Sequence, residues 1–244
     1  MKKYLRIFLN FIFWGIVVGI AGLAALVLIY GHDLPDYRNL ATYTPPVATR
    51  LYAADGSLLI EYAEERRVFI DFEDMPPQLV NAFIAAEDQN FWTHPGIDIQ
   101  GIMRALANNA LRMLGHDTTL SGASTITQQY AKNLYLEFDK TFKRKLSELW
   151  YTIRIESHYD KDTILEGYLN TINYGHGVYG IENASQFYFN KHAKDLTLAE
   201  ASILVNIPKS PSNYSPINNL EKAKERQSYV LNTMLKNDLI TKND

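Results

Sequence analysis

The stretch PPQLVNAFIAAEDQNFWTHPGID, residues 76–98, decides how the chain is read. Two prolines open it, and Leu79, Val80, Phe83 and Ile84 then recur at the spacing of a helix with one apolar face. The pattern runs into Glu87 and Asp88, and Pro95-Gly96 demands a turn soon after. A helix therefore delivers a carboxylate to the mouth of a polar loop. Partial burial behind Ala85 and Ala86 would raise the pKa of Glu87 and suit it to exchange a proton near neutral pH. A solvated carboxylate in a last helical turn explains the same residue. His94 lies too far along to share a helical face with Glu87; it either bonds back to brace the loop or is an ordinary polar loop residue.

Toward the N-terminus, VATRLYAADGSLLIEY (47–62) predicts two short strands turning at Asp55-Gly56. Residues 31–46, with Pro35, Pro45 and Pro46, read as a linker. Before it, Ile7 to Tyr30 gives 24 uncharged positions behind Lys2, Lys3 and Arg6. As a helix this run is about 36 Å long, enough to cross a hydrocarbon core of roughly 30 Å. The basic side predicts a cytoplasmic tail at 1–6, a transmembrane helix at 7–30 and everything after it outside. Residues 47–244 form the single domain that remains.

Toward the C-terminus, helical spacing returns in Ile102, Leu106 and Leu111, in Leu146, Leu149 and Ile153, and in Ile164, Leu165, Tyr168 and Leu169. Gly175, Gly177 and Gly180 mark a turn-rich stretch, Thr197 and Glu200 have capping-box spacing, and a last helix is expected from about Leu220 to Lys236. The fold class is mainly α. From Ile102 to Leu114, Met103, Leu106, Leu111, Met113 and Leu114 gather near one side with Arg104 and Arg112 beside them, which fits either packing on the body or an interfacial lobe.

Composition narrows the chemistry. With 244 residues, 47% of them hydrophobic, the chain can build a sizeable core. Lys plus Arg 24 against Asp plus Glu 27 gives a net charge of -3, which argues against a nucleic-acid partner. Zero cysteines exclude a thiolate nucleophile and Cys-ligated metal, and the six histidines form no His-Glu-x-x-His.

Two further constellations carry polar chemistry. In GASTITQQYAKN (122–133), Ser124 or Thr125 can cap a helix, and Thr125, Gln129 and Lys132 recur at i, i+4 and i+7. They form a cradle for a phosphate or sugar, or simply a solvated face. In RKLSE (144–148), Arg144 and Glu148 are i, i+4, which gives either an intrahelical ion pair or a carboxylate held beside a phosphate-binding cation.

These motifs, with ILEGYLNTINYGHGVYGIENA (164–184), LTLAEAS (196–202) and IPKSPSNYSP (207–216), resemble those of glycosyltransferase family 51 in order and spacing. These are the peptidoglycan glycosyltransferases, found as monofunctional transglycosylases or as the first domain of class A penicillin-binding proteins. The resemblance implies a bilobal, lysozyme-like domain with a membrane-proximal jaw that polymerises lipid II, inverting at the anomeric carbon and releasing undecaprenyl pyrophosphate. By similarity Glu87 matches the general base. Glu148 matches the second catalytic glutamate, which helps the pyrophosphate leave directly or through a divalent cation, Mg or Mn; no organic cofactor is implied. Ser124, Thr125, Gln128, Gln129, Lys132, Asn133, Arg144 and Lys145 match substrate-binding positions, joined by Asp88, Phe91 and His94, which shape the surroundings of the base.

Implied partners are lipid II, the lipid-linked growing chain, the bacterial cytoplasmic membrane and other cell-wall synthesis proteins. The domain would sit on the extracytoplasmic face and bind moenomycin-like phosphoglycolipids. No Ser-x-x-Lys and no Lys-Thr-Gly occurs in these 244 residues, so they carry no serine transpeptidase motif. Two other readings stand beside this one: a lysozyme-like hydrolase and a tethered glycan-binding scaffold.

Overall fold

The computed structural model describes residues 49–53, 58–62, 68–114, 123–135 and 142–244, with scattered positions between 6 and 25. The linker at 31–46 lies wholly outside these, as do 14 of the 24 positions of the predicted transmembrane run. The described positions in the run are helical, and no helix of the described residues is long and apolar enough to cross a membrane.

Strands β1 (Thr49–Tyr52) and β2 (Leu58–Tyr62) pair antiparallel, as the alternating pattern predicts. The other regular elements among the described residues are helices. Helix α1 is Pro77–Glu87, α2 Ile99–Met113, α3 Ile126–Tyr135, α4 Phe142–His158 and α5 Lys161–Thr171. There follow α6 (Ile181–Phe189), α7 (Leu198–Leu204), the single turn α8 (Pro211–Tyr214) and α9 (Leu220–Lys236).

Local chemistry accounts for the helix ends. Pro77 opens α1 at the first helical position, where a missing N–H costs nothing. Asp160 caps α5 by accepting from Thr163 N at 2.8 Å, and Asn219 caps α9 by accepting from Lys222 N at 3.0 Å. The Thr197–Glu200 capping box forms as its spacing predicts.

Helix α1 buries Leu79, Val80, Ala82, Phe83, Ile84 and Ala85, against α7 and α9. On the other side α3 lies against α4 and α5, and α5 buries Ile164, Leu165, Tyr168 and Leu169. Each large apolar side chain so enclosed contributes about 1.5–3 kcal/mol. Phe83 joins the two sides, its ring meeting Tyr168 and Tyr174 edge-on at 6.2 and 6.5 Å. Helix α2 behaves differently. Ala105 alone among its residues is buried, while Ile99, Met103, Leu106 and Met113 stand exposed.

Between the hairpin and α1, an extended segment is gripped by side chains of α5. Asn170 accepts from Ile70 N at 3.1 Å and donates to Ile70 O at 2.9 Å, copying a strand neighbour with one amide. Glu166 accepts from Phe72 N at 2.8 Å. Asn170→Leu would fill the same volume but strand both backbone groups of Ile70. We expect it to cost about 2–4 kcal/mol, seen as a lower urea midpoint at unchanged slope. An unchanged midpoint would mean that the segment does not depend on this grip.

Candidate active site

Asp88 joins the first two motifs. Its carboxylate accepts from Ile126 N, the first helical N–H of α3, at 3.0 Å, placing a negative charge at the positive end of that helix. His94 Nε2 lies 2.9 and 3.0 Å from the two Asp88 oxygens, and Gly96 N–H donates to His94 Nδ1 at 3.0 Å. Because Nδ1 accepts, Nε2 carries the ring hydrogen and donates to Asp88. Of the two sequence readings of His94, the brace is the one seen.

Thr125 completes the joint from the other side. Its hydroxyl donates to Gly96 O at 2.6 Å and accepts from Gln128 N at 3.2 Å, while Gln128 Oε1 accepts from Thr125 N at 3.0 Å. This reciprocal pair is a capping box with Gln in place of Glu. Thr125 thus makes the cap its position allowed, and it lines one cleft with Gln129 and Lys132, its own hydroxyl bonded to backbone.

Behind the loop, Lys161 donates to His94 O at 2.8 Å and to Glu156 Oε1 at 2.7 Å, with its ammonium 4.5 Å above the Phe91 ring. Thr127 donates to the same Glu156 oxygen at 2.5 Å. Phe91 is fully enclosed and His94 nearly so, and neither lines the cleft. They support the wall from behind rather than line it. Asp98 ends the loop at the N-cap position of α2. Burial pushes its carboxyl upward, but bonds from Gly101 N and the Asn90 side chain, with lesser pulls from His94 and Arg104, hold it below the usual carboxylate range.

This frame presents a cleft of about 470 Å³. Glu87, the last residue of α1, is half-buried on one wall, and its Oε2 accepts from Gln129 Nε2 at 2.8 Å. Gln129 Oε1 in turn accepts from the buried Tyr168 hydroxyl at 3.0 Å. Burial drives the Tyr168 phenol well above its ordinary pKa, with Glu87, Tyr174 and Asp88 adding to the effect, so it stays a donor.

Lys132 and Glu148 line the same cleft, as do Ser124, Thr125 and Gln128. Glu148 is buried and pairs with Lys145, whose side chain is exposed; Lys145 and Asn133 do not themselves line the cleft. The sequence had suggested Arg144 as its partner, but the side chain of Arg144 lies outside the described residues.

Lys209 and Arg226 also line the cleft, and sequence reasoning passed over both. Lys209 sits in the quoted IPKSPSNYSP stretch, but Arg226 is indistinguishable from a surface charge of α9. Its guanidinium lies 4.6 Å over the Tyr229 ring and 5.5 Å from that of Tyr214, and its buried Nε has no hydrogen-bond partner among the described residues.

No cluster of three or more His, Asp or Glu side chains among the described residues could hold a metal. Glu148 is the residue that would meet a divalent cation in the cleft, and its carboxylate is already paired with an ammonium.

A mainly helical domain with a half-buried glutamate, a second buried glutamate and cationic side chains in one cleft has the groups that a sugar-transferring class of enzyme needs. The chain belongs to the transglycosylase family, whose model matches residues 55–235, and so to the peptidoglycan glycosyltransferases that its motifs resemble. Penicillin-binding protein 2D of Bacillus subtilis is 49% identical over 98% of this chain and 35% of its own length. Penicillin-binding protein 1A of Rickettsia prowazekii is 44% identical over 93% of this chain and 29% of its own. The chain thus spans a minor part of the curated relatives it matches. A crystal structure of penicillin-binding protein 1A from Haemophilus influenzae aligns with 82% of this chain and 20% of its own at 26% identity, with a TM-score of 0.43.

Gly96 holds a φ of +86°, and an added Cβ there would come within 2.8 Å of both Glu156 Cγ and Thr152 Cγ2. Left-handed strain and crowding together predict a loss of about 2–5 kcal/mol for Gly96→Ala. Chemical denaturation would show it as a lowered midpoint, and wild-type stability in the variant would refute the tight fit of loop to α4.

Proposed function

We propose that this chain polymerises lipid II into glycan strands on the outer face of the bacterial cytoplasmic membrane. The observation that carries the proposal is the sharing of one cleft by Glu87, Lys132 and Glu148. Glu87 acts as general base on the acceptor sugar hydroxyl, which is a poor nucleophile until its proton is withdrawn. The hydroxyl oxygen attacks the anomeric carbon of the lipid-linked donor, the bond to pyrophosphate breaks, and configuration inverts without a covalent sugar intermediate. Lys132 and, with it, Arg144 and Lys145 absorb the charge that develops on the departing pyrophosphate, so no strong general acid is needed. Glu148, paired with Lys145 at the edge of the cleft, offers a carboxylate to the pyrophosphate end, directly or through a divalent cation.

The membrane enters through two independent features. Residues 7–30 are apolar over a spanning length with basic residues on the N-terminal side, and we assign them as the anchor. The exposed Ile99, Met103, Leu106, Met113 and Leu114 on and just after α2 fit the membrane-proximal jaw, dipping into the bilayer that holds the polyprenyl chain. A hydrolase acting on preformed glycan has no use for cations in the cleft or for this apolar face. Cell-wall synthesis proteins are the expected partners.

Purified protein in lipid vesicles, given labelled lipid II, should yield polymer and free undecaprenyl pyrophosphate. Glu87→Gln should lower the rate by about 10²–10⁴-fold while keeping the fold. A moenomycin-like phosphoglycolipid should compete with lipid II. Folded, reconstituted wild-type protein that makes no polymer, or a Glu87→Gln variant at full rate, would overturn the assignment.

A further inference from the structure

The bond between Glu87 and Gln129 fixes more than a distance. A carboxylate only accepts, so the end of the Gln129 amide that faces Glu87 Oε2 at 2.8 Å must be its NH2 group. The opposite end is then Oε1, and the tyrosine hydroxyl 3.0 Å from it must donate. The three groups form a chain with a single consistent direction, running Tyr168 to Gln129 to Glu87. Tyr168 is fully enclosed, its ring edge-on to Phe83, and its hydroxyl has no route to a substrate in the cleft.

We infer that Tyr168 is a positioning residue for the base: by holding the Gln129 amide in one of its two orientations, it directs an N–H at Glu87 Oε2 and leaves Oε1 to take the proton from the acceptor hydroxyl. Without that hydroxyl the amide can turn over, and a carbonyl oxygen would then face the carboxylate and push it out of line. The buried phenol resists ionisation, so the donor persists over the whole working range of pH. Electrons balance simply. The acceptor O–H bond breaks, its proton joins Glu87 Oε1, and its electron pair forms the new glycosidic bond while the donor's C–O electrons leave with pyrophosphate.

The inference rests on the polymerase reading, and the experiment separates the two. Tyr168→Phe keeps the ring and its contact with Phe83 and removes one oxygen. In the lipid II assay it should lower kcat about tenfold to a hundredfold, the range expected of a base held out of line, with KM within twofold of wild type. The discriminating measurement is the same substitution made in a Gln129→Ala background, where there is no amide left to orient and kcat should fall no further. An equal additional loss in both backgrounds would mark Tyr168 as merely structural and overturn the inference. So would an unchanged kcat, a loss confined to KM, or a Tyr168→Phe protein unfolded at the assay temperature. Failure of wild type to polymerise would instead defeat the reading beneath it.

Discussion

The Asp88 carboxylate is the constraint on which the cleft depends. It is almost entirely removed from water, so its charge must be answered locally, and it is answered twice: by the first N–H of α3 and by the His94 ring. Removing one partner of such a buried charge typically costs about 3–5 kcal/mol, far more than a surface pair contributes. The helix that ends at Glu87 and the helix that begins at Ile126 cannot drift apart without exposing that charge. Glu87 precedes Asp88 in the chain, so the carboxylate that holds the wall together also fixes where Glu87 emerges.

The same economy of contacts appears around the loop. Thr125 closes on Gly96, Gly96 closes on His94, and Lys161 holds the His94 carbonyl from behind. Polar groups that would be costly if unpaired instead satisfy one another, and the loop needs no disulfide or metal to keep its shape. The front of the wall is then free to line the cleft. Lys132, Lys209 and Arg226 are spread round the cleft, and the buried Glu148 keeps an ammonium beside it.

Much of this was legible in the sequence, and the part that was not has a physical cause. The end of α1 at Glu87, the hairpin pairing, the Thr197 capping box and the span of α9 follow from periodicity, turn residues and caps, all of which act between near neighbours. Pairings across the fold do not. Lys161 meets His94 from 67 positions away, and Gln129 meets Glu87 from 42, so nothing in either segment announces the contact. Thr125 shows both kinds of signal: the cap its hydroxyl makes is local and legible, while its bond to Gly96 O spans 29 positions. The motifs marked which residues gather; they did not say which would face the cleft and which would stand behind it.

The grip of α5 on the extended segment has a mechanical consequence. Glu166 and Asn170, which hold Phe72 and Ile70, flank Tyr168 two residues to either side on one helix. Any tension arriving along the chain from its N-terminal side passes through those two backbone attachments before it reaches the core. The load path therefore straddles the phenol, and a pull from that side is felt first by the helix on which the phenol is mounted.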